Sequence, residues 1–144
     1  MNTAMRFAIF TVFLMFAGCQ TLGDVVKAKG EGTSKVYHIT ADQAWTIAMT
    51  VFRWEGTDAI EEHRAEGYML TSTSPGIGTY GTVMGAWIDP ITESQTQVTV
   101  VTKRRVVTNI ITSLTEGMFH RRFAQAVEIV KAGKPLPPAP PDQG

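Results

Sequence analysis

One stretch of the chain cannot belong to a folded core: an apolar run over residues 7–16 that follows Arg6 and is broken only by Thr11. The run is apolar on every side, whereas a helix that packs on a core keeps one polar face. About ten residues suit the hydrophobic region of a secretory signal, whereas about twenty are needed to cross a bilayer. The sequence therefore predicts a signal peptide over residues 1–18, and the residues that follow have to build the fold.

Two small residues, Ala17 and Gly18, follow the run and precede Cys19, the only cysteine of the chain. This arrangement resembles the bacterial lipobox, although Phe16 stands where that family usually has leucine. The resemblance implies cleavage before Cys19 and a covalent diacylglycerol and palmitate anchor on its thiol, with no other cofactor. Gln20 then implies the outer membrane, with the domain facing the periplasm.

Two other interpretations of this segment stay open. A short membrane span over residues 4–17 would end at Gln20 and would anchor the protein by its own chain. Cleavage by the ordinary signal peptidase would instead release the domain as a soluble protein. Lipid attached to Cys19 is what distinguishes the lipoprotein from both.

The balance of charge and the cysteine count narrow the functions. The chain carries 13 basic and 13 acidic residues, so it lacks the excess of Lys and Arg that nucleic-acid binding requires. A single cysteine excludes an internal disulfide and a multi-cysteine zinc site. The expected partners are a membrane, through the lipid, and another envelope protein, with no nucleic acid.

Glycine and proline mark the ends of the domain. Residues 19–34 are polar and contain glycine, which predicts a tether between lipid and domain. Residues 134–144 hold five of the seven prolines, which predicts a disordered, solvated tail. Its PxxP spacings resemble ligands of proline-binding modules. Residues 35–133 are left as a single domain.

Two periodicities alternate within that domain. Residues 40–43 form a capping box in which Thr40 and Gln43 bond each other's backbone, and a helix with one apolar face follows until Glu55-Gly56. Strand-forming segments occupy residues 35–39, 57–63, 68–73, 80–88 and 97–102, and an amphipathic helix occupies residues 109–132, with Gly117 inside it and Gly133 at its end. The order β-α-β-β-β-β-α predicts an α+β fold of two layers, with a mostly antiparallel sheet of about five strands and two helices on one face.

This layout resembles families of small proteobacterial outer-membrane lipoproteins that carry a strand–helix–meander–helix domain. The resemblance covers most of the mature chain, but it lies in pattern and spacing rather than in a residue motif. It implies a non-enzymatic binding or scaffolding role in the cell envelope. An envelope-glycan hydrolase or carbohydrate-binding module, and a carrier of a small apolar ligand, are the alternatives.

No residue pattern predicts catalysis or a metal site. The three histidines, His38, His63 and His120, lack a second histidine or cysteine at ligand spacing. Neither a GxSxG elbow nor an SxxK pair is present to activate a serine. The three tryptophans are expected in the core or at its edge, with an exposed Trp54 as a possible sugar platform.

Two further features are candidates for binding. The glycine-rich segment with Gly76, Gly78 and Tyr80 lacks the phosphate-binding pattern and is interpreted as a hairpin loop open to recognition. The basic residues form two clusters, which would create a patch for an anionic partner if the fold brought them together: Lys103, Arg104 and Arg105 in the first, and Arg121 and Arg122 beside His120 in the second.

Overall fold

The computed structural model describes residues 21–57, 59–73, 81–104 and 115–141, whose strands form one five-stranded antiparallel sheet in the order β1-β5-β4-β3-β2. The strands are β1 (Thr33–Tyr37), β2 (Ala59–His63), β3 (Tyr68–Thr73), β4 (Thr82–Thr92) and β5 (Gln95–Arg104), and the helices are α1 (Leu22–Lys27), α2 (Ala41–Trp54) and α3 (Glu116–Lys131). Each pair of neighbouring strands is antiparallel. The predicted α+β class with a five-stranded antiparallel sheet is confirmed.

Helix α2 begins and ends where the sequence predicts. The Thr40 hydroxyl accepts from the Gln43 amide at 3.2 Å, and the Gln43 side chain accepts from the Thr40 amide at 3.0 Å. Beyond the other end, Gly56 has a φ of +73°, which glycine adopts without the strain that a side chain would add. One face of α2 is buried, with Ala44, Trp45, Ile47, Ala48, Val51 and Phe52.

The main core lies between one face of the sheet and the helices α2 and α3. Phe52 of α2 lies 5.1 Å, centroid to centroid, from Phe119 of α3, and Phe123 packs against the same cluster. Met69 and Met84 come from the sheet below, and all five side chains are fully buried. Burial of such side chains contributes about 1.5–3 kcal/mol each and supplies most of the stability of this layer.

The opposite face of the sheet is covered by α1, which the sequence places in a tether. Val25 of α1 is fully buried against Leu70, Val83, Trp87 and Val101. The predicted tether over residues 19–34 is therefore wrong from Thr21 onward. A helix of six residues is too short to show the repeated apolar spacing that identifies longer helices.

A glycine creates the space in which α1 lies. A Cβ atom on Gly85 of β4 would stand 2.8 Å from Val25 Cγ1 and 2.8 Å from the Trp87 ring, closer than van der Waals contact permits. Any larger residue at position 85 would therefore displace the helix or the indole. The packing of α1 on this face of the sheet therefore depends on the absence of a side chain at position 85.

The two largest boundary differences from prediction are at the start of α3 and at the end of β4. Thr115 is extended and caps α3 through its hydroxyl, so the helix begins at Glu116 rather than at 109, and Gly117 falls in its first turn without breaking it. Strand β4 continues past the predicted stop at Asp89-Pro90 to Thr92. Since β3 pairs with β4 only as far as Trp87, Pro90 lies where β4 has a single partner, a position that tolerates a missing N–H.

The proline-rich end is also part of the folded structure. Trp54 Nε1 donates to the Pro137 carbonyl at 2.9 Å, and Leu136 packs against the main core. The prediction of a disordered tail is therefore wrong for residues 134–141. This stretch contains neither helix nor strand, as predicted. Donors on the helices, rather than solvent, bond the carbonyls of Pro137 and Pro141.

Candidate functional site

A cleft of about 400 Å³ opens at one end of the sheet. Three separate segments line it: the start of α2, the turn between β2 and β3, and the far end of β4. The lining residues are Ala41, Asp42, Trp45, Arg64, Ala65, Glu66, Gly67, Ile88, Asp89 and Pro90. No pattern along the sequence joins these segments, so the cleft could not be predicted from the sequence.

A left-handed glycine shapes the floor of the cleft. The short turn Arg64–Glu66 ends at Gly67, whose φ is +77°. The Gly67 carbonyl accepts from the Ile88 amide at 2.8 Å and so ties the turn to β4. This bond fixes the position from which Arg64 reaches across to α2.

Arg64 is the best-positioned charged group of the cleft. Its guanidinium carbon lies 4.8 Å from the centroid of the Trp45 ring, a cation–π contact. Its Nη1 donates to Asp42 Oδ1 at 3.3 Å, and its side chain remains 57% exposed. The planar guanidinium is therefore held on one side and open to a ligand on the other.

The Trp45 indole is a support for Arg64, not a stacking platform. Trp45 is only 4% exposed, and its Nε1 donates to Glu62 Oε2 at 2.7 Å. The predicted location of the tryptophans in the core or at its edge is confirmed, because Trp87 is equally buried and Trp54 packs at the rim of the core. Trp45 and Trp87 therefore offer no open face to a sugar, and the Trp54 ring is partly buried.

Acidic residues share the cleft with Arg64. Asp42 is 92% exposed, Glu66 belongs to the turn, and Asp89 pairs with Lys29 at 2.9 Å. Both signs of charge are thus present around a partly apolar floor of Ile88 and Pro90. This mixture suits a polypeptide partner better than a small ion of one sign.

The basic clusters of the sequence have separate partners. Lys103 forms an ion pair with Glu31, in the short turn after α1. Arg122 pairs with Glu55 at 3.2 Å, where the two side chains are 14% and 10% exposed, whereas Arg121 points to solvent. Arg105 and the side chain of Arg104 lie outside the described residues. The two described pairs therefore join elements of this chain to each other.

His120 lies in the interior, although the sequence groups it with the two arginines that follow. It is fully buried, its Nε2 donates to the Thr33 carbonyl at 2.8 Å, and its Nδ1 accepts from the Tyr37 hydroxyl at 2.8 Å. Burial lowers the pKa of His120 and raises that of Tyr37. The neutral imidazole therefore fastens α3 to the edge strand β1.

The carboxylate of Glu116 fastens α3 to the same edge of the sheet. It accepts from the Thr33 amide at 3.0 Å and from the Thr102 amide at 3.1 Å. Together with His120 it bonds both outward-facing backbone groups of Thr33. An open strand edge invites pairing with other chains, and these two side chains block it at this point.

The other histidines have local partners. His63 Nε2 lies 2.6 Å from Glu61 Oε1, and its ring stacks on Tyr68, while His38 Nδ1 lies 3.2 Å from the Gln95 side chain. Within residues 21–57, 59–73, 81–104 and 115–141, no group of three His, Cys, Asp or Glu side chains could hold a metal ion.

Several predicted positions cannot be placed. Cys19 and the loop residues Gly76, Gly78 and Tyr80 lie outside the described residues. No helix in the described part of the chain is both long and apolar enough to cross a membrane. Comparison with protein families, with curated proteins and with solved structures gives no match.

Proposed function

We propose that the chain is a lipid-anchored, non-enzymatic binding domain of the bacterial cell envelope, held at the outer membrane and facing the periplasm. The observation that carries the proposal is the apolar run that ends in Ala-Gly-Cys at Cys19, followed immediately by a folded domain. On this proposal the lipid provides attachment, and the cleft around Arg64 provides contact with another envelope protein.

The start of the fold supports attachment close to the bilayer. Thr21 already belongs to the domain, because its amide donates to Asp24 Oδ2 at 2.7 Å and it caps α1. Two residues of extended chain span at most about 7 Å. A lipid on Cys19 would therefore hold the domain against the membrane surface rather than at the end of a long tether.

The chemistry of the cleft supports protein contact. Arg64 is kept in place by Trp45 and Asp42, so its binding to a carboxylate requires little loss of side-chain freedom. Arginine is enriched among the residues that dominate protein interfaces.

The other two functions that the sequence suggests have less support. A carrier of a small apolar ligand requires a cavity between sheet and helices, and that layer is filled by Phe52, Phe119 and Phe123. A glycan-binding surface on Trp54 requires an open indole, whereas this one is partly buried against the core and its N–H is bonded to the Pro137 carbonyl.

Replacement of the cysteine tests the anchor. Cys19→Ala removes the only thiol that accepts the diacylglyceryl group, so we expect an unprocessed precursor and complete loss of radiolabelled palmitate. The natural chain and a Thr21→Ala control, which keeps Cys19, are expected to incorporate label. Labelling of the Cys19→Ala variant, or its absence from the natural chain, would refute the lipoprotein.

A further inference from the structure

The groove of this domain is the surface of α2 and α3 around Trp54 and Arg122, and the C-terminal segment lies on it. We propose that this groove is a recognition site for a proline-rich segment, which the chain's own tail fills in cis and from which a proline-rich segment of a partner protein displaces it. The tail, defined here as residues 134–141, is thus an internal competitor as well as a structural element.

A sharp reversal at the end of α3 directs the tail into the groove. Gly133 has a φ of +71°, its amide donates to the Val130 carbonyl at 3.0 Å, and the Lys134 amide donates to the Ile129 carbonyl at 3.1 Å. This pair of bonds is the Schellman motif, which ends a helix on a left-handed glycine. A Cβ on Gly133 would meet nothing within 4 Å, so the hinge is free of packed neighbours.

The helices supply two donors that point at the tail backbone. Trp54 Nε1 donates to the Pro137 carbonyl at 2.9 Å, and Arg122 Nη1 donates to the Pro141 carbonyl at 3.4 Å. Arg122 is itself oriented by Glu55, which accepts from its Nε at 3.2 Å. Both donors therefore belong to helices, and Glu55 orients one of them toward the tail.

The groove recognises features that every proline-rich segment shares. A polyproline II chain makes no internal hydrogen bonds, so its carbonyls are free to accept, and its low flexibility reduces the entropy lost on binding. The chain bends at Pro138 and Ala139, between the two bonded carbonyls, so one segment reaches both donors. An aromatic ring that donates to a proline-rich backbone is the chemistry by which grooves recognise these peptides.

The hold on the tail is weak enough for exchange. Lys134, Pro135, Pro138 and Ala139 are exposed, and Leu136 is only partly buried, whereas the residues of the main core are almost completely buried. Two hydrogen bonds to uncharged carbonyls contribute about 1 kcal/mol each. The partial burial of Leu136 adds to these bonds, and the tether gives the tail a millimolar effective concentration, so a segment from outside has to exceed that concentration or bind more tightly to replace the tail.

A full-length variant without tail prolines tests the proposal. Its tail keeps its length but loses its stiffness, through the substitutions Pro135→Ser, Pro137→Ser, Pro138→Ser, Pro140→Ser and Pro141→Ser. The probe is a synthetic peptide of residues 134–144, titrated while Trp54 fluorescence and the indole N–H resonance are followed. We expect saturable binding to this variant and binding at least about tenfold weaker to the natural chain, whose groove is occupied.

Matched variants locate the binding. In the proline-free background, Trp54→Phe is expected to weaken peptide binding about fivefold by loss of one hydrogen bond, and Arg122→Lys to weaken it by a similar factor. The anisotropy of a fluorophore-labelled peptide measures binding to these variants, because Trp54→Phe removes the indole signal. Arg121→Lys changes the neighbouring exposed arginine and is expected to leave binding unchanged. A peptide with serine in place of proline is expected not to bind.

A second measurement applies if the proline-free chain does not fold. A fluorophore attached to Gly144 of the natural chain reports the freedom of the tail, and millimolar peptide is expected to lower its anisotropy. A folded proline-free variant that does not bind the peptide would refute the proposal. Equal affinity for both chains, or an unchanged anisotropy, would refute it as well.

Discussion

Position in a helix explains why His120 and the two arginines beside it behave differently. Consecutive residues of a helix are about 100° apart, so a cluster of three in the sequence faces three directions. His120 is fully buried, Arg121 is exposed, and Arg122 lies at the flank beside Glu55. Proximity in the chain groups the three residues into one basic cluster, whereas the phase of the helix separates them.

The buried imidazole makes stability depend on pH. Burial lowers the pKa of His120 below its ordinary value of 6.5, Lys35 lowers it further, and Glu116 and the bond to Thr33 oppose these effects. The unfolded chain therefore binds a proton more readily than the folded one. The contribution of His120 is complete above pH 6.5 and is lost as the pH falls from there through the lowered pKa.

The measurement is urea unfolding at several pH values. We expect the free energy of unfolding to decline between pH 7.5 and pH 5, and His120→Gln to reduce this slope while it costs about 1–3 kcal/mol at pH 7.5 by loss of buried hydrogen bonds. His38→Gln, at an exposed site, is the control and is expected to keep the slope. An unchanged slope in His120→Gln would show that other groups cause the dependence.

At the scale of elements, a helix was predicted correctly when its sequence pattern was long and was missed when that pattern was short. Helix α2 was predicted correctly because a capping box, a three-turn apolar face and a terminal glycine agree. Helix α1 was missed because it is short and depends on Gly85, a residue of another element. The cleft around Arg64 was missed for the same reason, since its three segments meet only in the folded chain.

Two glycine substitutions with opposite expected effects on stability test the role of Gly85. Gly85→Ala places a methyl group 2.8 Å from Val25 and from the Trp87 ring, so we expect a loss of about 1–3 kcal/mol in stability. Gly117→Ala adds a methyl group whose nearest neighbour, Thr115 Oγ1, lies 4.0 Å away, and a gain of about 0.5–1 kcal/mol is expected in the first turn of α3. Thermal melts followed by Trp87 fluorescence give both values, and effects of the same sign would contradict this account.

At the scale of the whole molecule, the two faces of the sheet are covered by different elements. One face carries the main core with α2, α3 and the tail, and the other carries α1, the element that follows the predicted lipid anchor. The cleft opens at the end of the sheet, where the turn after β2 meets the start of α2. On the proposed function, attachment and recognition use different parts of one small domain.

Photo-crosslinking in cells tests that assignment. A photoreactive amino acid replaces Ala65 in the cleft or, as the matched control, Ala124, an exposed alanine on α3. We expect one discrete adduct from position 65 and none from position 124. Because the cleft is proposed to bind through Arg64, Arg64→Gln is expected to lower the yield of that adduct about fivefold, the effect of a lost hydrogen bond of about 1 kcal/mol. Equal adducts from both positions, or a yield that Arg64→Gln does not alter, would show that the partner contacts another surface.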